Sequence, residues 1–364
     1  MNFNYQAGTS PLQARSNFPV IPMIIIILIV ILVLFLIWFI AKKIKDYYAS
    51  DKYIEKETNR ITRRNDVVKF CKEHELSQHD FNILWNVCRI TNCKNILYSF
   101  KSNTQVLETF RAAYNQMINF GMTDQKVNDF FVLQYKIETI VAKLKGIKST
   151  HSIAVDKIVF YITDMGEQLP LFVYKNERDA FFLELPEFLY KSPRRPKLLV
   201  RQRFTYKTEN GLSYNFITRI IRYNEDTSAN KFLMVVSHTE QLECTSQRNS
   251  KREYIEVDVG FCPVKKEKDD PRKKSDYIYS TKVYKGKLTN FSAGGCCIQT
   301  ELPILENQCM CLFLKNLGVT EKVIGIIRRT RRLQNGKYAL HIQFIDISIK
   351  TTNKLYTLIY KYEI

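Results

Sequence analysis

Two short stretches in the C-terminal third of the chain hold side chains suited to gripping an anion. The first is Gln247-Arg248-Asn249-Ser250-Lys251-Arg252. Arg248 and Arg252 stand four residues apart in a turn-like linker, so their guanidiniums can converge on one object. Gln247 and Lys251 are further candidates beside them. A guanidinium is a planar fork that pairs bidentately with phosphate oxygens or with the O6/N7 edge of guanine. The second stretch is Asn290-Phe291-Ser292-Ala293-Gly294-Gly295. Asn290 and Ser292 offer compact polar groups from a tight turn, while Gly294 and Gly295 permit unusual backbone dihedrals and the close approach of a ligand. Together these groups suit a small, flat, doubly negative ligand. Taken singly, a basic run is an ordinary solvated face, and an Asn-x-Ser-x-x-Gly turn is an ordinary strand connection. Their conjunction in a β-rich region carries the reading.

That region begins near His151. Ile158–Thr163, Leu171–Tyr174, Ala180–Leu185, Lys197–Tyr206, Leu212–Tyr223 and Lys231–Ser237 are rich in β-branched and aromatic residues, with turn residues such as Asn210-Gly211 between them. Short strands at this spacing predict a barrel rather than βαβ units. A second block opens with Ile255, Val257, Val259 and Phe261 alternating with polar or small residues, as a half-buried strand does. Lys265–Asp276 is a charged insertion read as a loop. Strand-like runs resume at Lys282–Leu288, Gly295–Glu301, Cys309–Leu314, Val323–Arg332 and Tyr338–Ile345, and Ser348–Tyr362 has helical periodicity, expected to pack on the barrel.

Upstream, Asp66–Gly146 reads as helical. Val106, Phe110, Ala113, Tyr114, Met117 and Phe120 recur at three- and four-residue steps before Gly121, and Val127, Phe130, Leu133, Ile137, Ile140 and Leu144 repeat the pattern. Ser77 with Asp80 forms an N-cap signature. His74 and His79 lack acidic or thiol neighbours at ligand spacing, so they read as exposed helix-end residues. Nearer the N-terminus, Phe18–Ala41 contains no charged residue, and Met23–Ile40 is almost wholly Ile, Leu, Val and Phe, long enough to span a bilayer as a helix. Trp38 and Phe39 suit the headgroup region. Lys42, Lys43 and Lys45 follow the run and only Arg15 precedes it, which places the bulk of the chain in the cytoplasm.

The two polar stretches are similar to the paired motif of the PilZ family, RxxxR followed by [D/N]xSxxG, with every specified position matched by Arg248, Arg252, Asn290, Ser292 and Gly295. The run Tyr338–Ser348 echoes that family's closing "GVxFxDxS" phrase, and Asp156–Gln247, with Leu183–Leu189 reading "LELPEFL", resembles the N-terminal barrel of YcgR-like flagellar brake proteins. The insertion Lys265–Asp276 lengthens the gap between the motifs, and Lys251 adds a cation. The resemblance implies a six-stranded C-terminal barrel closed by a helix, and a receptor for cyclic di-GMP rather than an enzyme. Arg248 and Arg252 would grip phosphate and guanine. Asn290, Ser292 and Gly295, with Gly294, would receive the other guanylate half. Ligand binding would reorder the arginine linker and change how two β-domains face each other. The implied organisation is a membrane-anchored multidomain chain: a short extracytoplasmic tail (1–17), a transmembrane helix (18–41), a juxtamembrane linker (42–65), a helical domain (66–150), a YcgR-N-like β-barrel (151–246) and a PilZ domain (247–364). It would sit in the inner membrane as a single-pass protein.

Composition is compatible with this reading. The 364 residues carry a formal net charge of +19, which favours anionic partners without choosing among nucleotide phosphates, nucleic acid and acidic lipid. Nine cysteines without metal or disulfide spacing suit a reducing compartment, and no metal or cofactor is expected. Five scattered histidines make no triad, and no glycine-rich phosphate loop or paired-carboxylate motif is present. The expected partners are cyclic di-GMP, the bilayer, and the flagellar motor or another protein by analogy with the brake family. The alternative is a membrane-tethered nucleic-acid-binding or scaffold protein, for which Tyr277, Tyr279 and Tyr284 near Arg272–Lys274 would be the aromatic–basic feature.

Overall fold

The computed structural model describes residues 20–163, 165–192, 195–208, 211–245, 248–266, 277–333 and 335–362. It divides into two units, Met1–Arg60 and Ile61–Ile364. The first contains α1 (Val20–Ala49) and α2 (Asp51–Asn59). Within α1, Met23–Ala49 has a mean hydropathy of 3.7 over its most apolar stretch and is long enough to cross a bilayer. The helix runs past Ala41, where the apolar run ends, and Lys42 and Lys43 lay their stems back along it. Their ammonium groups stand 5.3 Å above the Trp38 ring and 5.4 Å above the Phe39 ring.

The second unit opens with a helical bundle of α3 (Arg64–Glu73), α4 (Gln78–Ile90), α5 (Ile96–Ser99), α6 (Asn103–Asn119) and α7 (Asp124–Leu144). The periodic residues of α6 and α7 face inward, with Val106, Phe110, Ala113, Phe130, Leu133 and Ile137 all fully buried. Phe120 and Leu144, which continue the pattern, sit at the helix ends and are 81% and 58% exposed. Ser77 caps α4 as anticipated: its hydroxyl accepts from the Asp80 amide at 3.1 Å, and the Asp80 carboxylate accepts from the Ser77 amide at 3.1 Å.

Two antiparallel barrels follow. The first consists of β1 (Ile158–Ile162), β2 (Gln168–Asn176), β3 (Phe181–Leu185), the short helix α8 (Glu187–Tyr190), β4 (Arg201–Lys207), β5 (Ser213–Asp226), β6 (Lys231–Val236) and β7 (Leu242–Thr245). Its ring runs β4-β1-β2-β3-β6-β5 and closes through β4–β5, with β7 added to β5. The second consists of β8 (Arg252–Lys266), β9 (Tyr277–Tyr279), β10 (Tyr284–Ser292), β11 (Gly295–Thr300), β12 (Cys309–Phe313), β13 (Val323–Arg332) and β14 (Tyr338–Asp346), followed by α9 (Ile349–Tyr360). Its ring runs β10-β11-β14-β13-β12-β8 and closes through β8–β10, with β9 extending β8. Closure leaves each ring without a free edge. The fold class is therefore the one read from the sequence: an apolar helix, a helical region, and two six-stranded barrels with a C-terminal helix.

Three details differ. The short strands β7 and β9 were not anticipated, since each is an addition to a ring already complete. Lys265 and Lys266 belong to β8 rather than to a loop, and 267–276 lie outside the described residues. Most consequentially, α9 touches β10 but packs chiefly against α7. It buries Leu355, Tyr356, Ile359 and Tyr360, and the Phe131 ring of α7 stacks on Tyr356 at 5.1 Å and on Tyr360 at 5.7 Å. The bundle, α9 and the second barrel thus share one apolar core, whereas the first barrel has its own.

Candidate ligand-binding site

Adjacent strands of the second barrel assemble the polar residues in rows. Arg252 of β8 is opposite Ser292 of β10, Ser292 is opposite Gly295 of β11, and Gly295 is opposite Gln343 of β14. The next row reads Tyr254, Asn290, Cys297, His341 and Arg329. A β-bulge makes this face possible. Leu288 and Phe291 both point into the core although they are three residues apart, and the register shifts between Leu288 and Asn290. That shift reverses the phase of alternation and turns Asn290 to the same face as Tyr254 and Arg252.

The rows floor a cleft of about 350 Å³. Arg248, Arg252, Asn290, Ser292, Gly294 and Gly295 all line it, joined by Arg328, His341 and Gln343. Among the described residues the lining contains arginines but no carboxylate, so the field they set up favours an anion. Arg252 is the first residue of β8 rather than part of a free linker, and Arg248 lies against the first barrel, where a Cβ on Gly211 would fall 2.2 Å from its Nη1. Lys251 is turned away from the cleft and faces Glu138 of α7 at 4.0 Å. Gln247 lies outside the described residues.

Neither Gly294 nor Gly295 has a positive φ, and only Gly295 is demanded by space. A Cβ on Gly295 would lie 2.4 Å from the Ile342 carbonyl oxygen, a backbone atom that cannot swing aside, whereas one on Gly294 would meet nothing nearer than Ser250 Oγ at 4.0 Å. Ser292 ties the turn, donating from Oγ to the Gly295 carbonyl at 3.2 Å. Gly295→Ala should therefore destabilise the domain by about 1–3 kcal/mol, and Gly294→Ala by less than about 0.5 kcal/mol. Equal denaturant midpoints for the two variants would refute this account.

Arg328, His341 and Gln343 were not assigned from the sequence, although His341 and Gln343 are outward positions of an alternating strand whose inward partners are Leu340, Ile342 and Phe344. Arg328 Nε donates to Gln343 Oε1 at 2.7 Å, which fixes both over the cleft. Burial, then Arg252, Arg329 and Arg331, hold the His341 imidazole below its ordinary pKa, so it is neutral at neutral pH and able both to donate and to accept. Burial pushes the Cys296 and Cys297 thiols up, so both stay protonated and poorly nucleophilic.

Residues 246–361 match the family described as PilZ domain. This part of the chain is a PilZ domain. No curated protein sequence matches the chain. Similar solved structures include the Bacillus subtilis inhibitor of motility MotI/DgrA, with 14% identity, 57% of this chain and 97% of that chain covered, and a TM-score of 0.40. Escherichia coli YcgR in complex with c-di-GMP has 14% identity, covers 57% of this chain and 83% of its own, and has a TM-score of 0.38. A Klebsiella pneumoniae MrkH–c-di-GMP complex has 11% identity, with 56% and 85% covered and a TM-score of 0.36. The PilZ match takes in both polar motifs, β8 to β14 and all of α9, and leaves the first barrel, the helical bundle and α1 outside it.

Proposed function

We propose that this chain is a membrane-anchored receptor for cyclic di-GMP and has no catalytic activity. One observation carries the reading: in a PilZ domain, Arg248, Arg252, Asn290, Ser292 and Gly295 line a single cleft that holds no carboxylate among the described residues. Two arginine forks across an open cleft suit a ligand with two phosphates and two guanine edges. Asn290, His341 and Gln343 add neutral donors and acceptors for a base. The ligand is bound and released, not held as a resident cofactor. Because Arg248 also contacts the first barrel at Gly211, drawing it onto the ligand changes how the two barrels face each other, a population shift driven by differential affinity. The output would be control of motility or of another surface process. Calorimetry with cyclic di-GMP and linear pGpG tests the reading: selective binding of the cyclic form is expected, and no binding, or equal binding of both, would sink it.

Membrane anchorage is proposed from the exposed apolar face of α1 and the lysines that follow its apolar run. With positive charge on that flank, a phosphatase fused after Ile364 should stay inactive in a bacterial host. Extracytoplasmic activity of the fusion would reverse the orientation. The nucleic-acid reading has less behind it: one face of the Tyr279 ring is taken by the Lys322 ammonium at 4.1 Å, and Arg272–Lys274 lie outside the described residues.

A further inference from the structure

The arginine segment 248–252 has a second side. Arg248, Ser250, Lys251 and Arg252 also line a cleft of about 340 Å³ whose opposite wall is the helical bundle, including Leu107 of α6 and Tyr135 and Glu138 of α7. The segment is thus a partition between the ligand cleft and the bundle. Lys251 faces α7 and α9. Its ammonium lies 4.0 Å from Glu138 Oε2 and 5.0 Å above the Tyr360 ring of α9.

Glu138 is an unusual partner, being only 7% exposed. Its Oε1 accepts from Gln134 Nε2 at 3.1 Å, and Gln134 Oε1 in turn accepts from the Tyr362 hydroxyl at 3.0 Å. The carboxylate is therefore built into the core shared by α7 and α9. Burial raises its pKa and Lys251 opposes that rise. A buried carboxylate that loses its cation is left uncompensated, so the pair resists separation.

We infer that Glu138 is a positioning residue for the nucleotide site: by holding Lys251 against the bundle, it fixes the middle of the 248–252 segment and leaves Arg248 and Arg252 facing the ligand cleft. This rests on the reading of that cleft as the cyclic di-GMP site. Without the clasp, the segment would have to be ordered at the moment of binding, and that entropy would be lost from the ligand's affinity. The clasp also makes the helical bundle part of the receptor, because whatever shifts α7 shifts the arginines, and by linkage the ligand biases α7.

The test uses the full-length chain and its variants E138Q, K251M and the double substitution. Glu138→Gln keeps the side-chain volume and removes the charge. Hydrogen exchange across 248–252 is expected to quicken in both single variants, and cyclic di-GMP affinity to fall about tenfold in each through lost preorganisation. The double variant should bind no worse than either single one, since all three break the same contact, whereas independent structural damage would add. Unchanged exchange in a folded E138Q protein, or additive losses of affinity, overturns the inference. If exchange quickens in E138Q but the unmodified protein binds no cyclic di-GMP, the reading of the cleft falls and the positioning role falls with it, while the Glu138–Lys251 clasp itself stands.

Discussion

Arg252→Ala and Arg248→Ala should each lower cyclic di-GMP affinity by tens- to hundreds-fold, about 2–3 kcal/mol, because each would remove the charge-assisted, two-pronged contact proposed for it. The fold should survive. Arg252 is exposed and Arg248 half-buried, and neither belongs to an apolar core. Arg252→Ala also removes a cation that holds the His341 imidazole down, so the His341 titration followed by NMR should move up in that variant. Lys251→Ala should act differently, through loss of the Glu138 contact and not of a ligand contact. Its effect on affinity should therefore vanish in a protein that already lacks Glu138. Calorimetry on the doubly substituted arginine protein is decisive: unchanged affinity in a cooperatively folded sample removes the proposed site.

Phe131→Ala should produce the largest loss of stability. The ring is fully buried and lies 5.3 Å from Tyr114, 5.6 Å from Phe130, 5.1 Å from Tyr356 and 5.7 Å from Tyr360. Removing a buried phenyl group costs about 3–5 kcal/mol in lost transfer free energy and cavity, a large part of the roughly 5–15 kcal/mol that holds a typical domain together. The distribution of the damage is the sharper expectation. Since Phe131 is common to the bundle and α9, hydrogen exchange should rise in α7, in α9 and in the adjoining β10 together. Phe204→Ala, in the separate core of the first barrel, should loosen that barrel alone. A Phe131→Ala protein whose bundle melts while the PilZ domain keeps its stability would show that the two do not share a core.

The expectations that held rest on local signals. Alternation in Ile255–Phe261 and Tyr338–Ile345 marks strands because a half-buried strand must alternate. The three- and four-residue steps in α6 and α7 mark helices, and Ser77 with Asp80 marks a helix start, because capping is settled within one turn. The RxxxR and NxSxxG residues stood out as candidates because arginine forks and small polar turns are seldom combined, and the fold brings them to one cleft. Helix ends were less legible. Phe120 and Leu144 keep the apolar period but not the burial, which needs a neighbour opposite.

What the chain alone determined is the chemistry in reserve: an apolar helix of bilayer length, two sets of barrel-forming strands, and two arginines with an Asn–Ser–Gly turn for an anion. Only the tertiary structure decided how that chemistry is aimed. Arg328, His341 and Gln343 join the cleft because β14 pairs with β11, a strand remote in sequence, and carries β13 on its other edge. Lys251 leaves the cleft because Glu138, more than a hundred residues upstream, offers it a buried carboxylate. The helix α9 turns to α7 because apolar periodicity says that a face must be covered and not what covers it. In each case the deciding contact is non-local, and its free energy depends on which surfaces meet, information that no window of neighbouring residues contains.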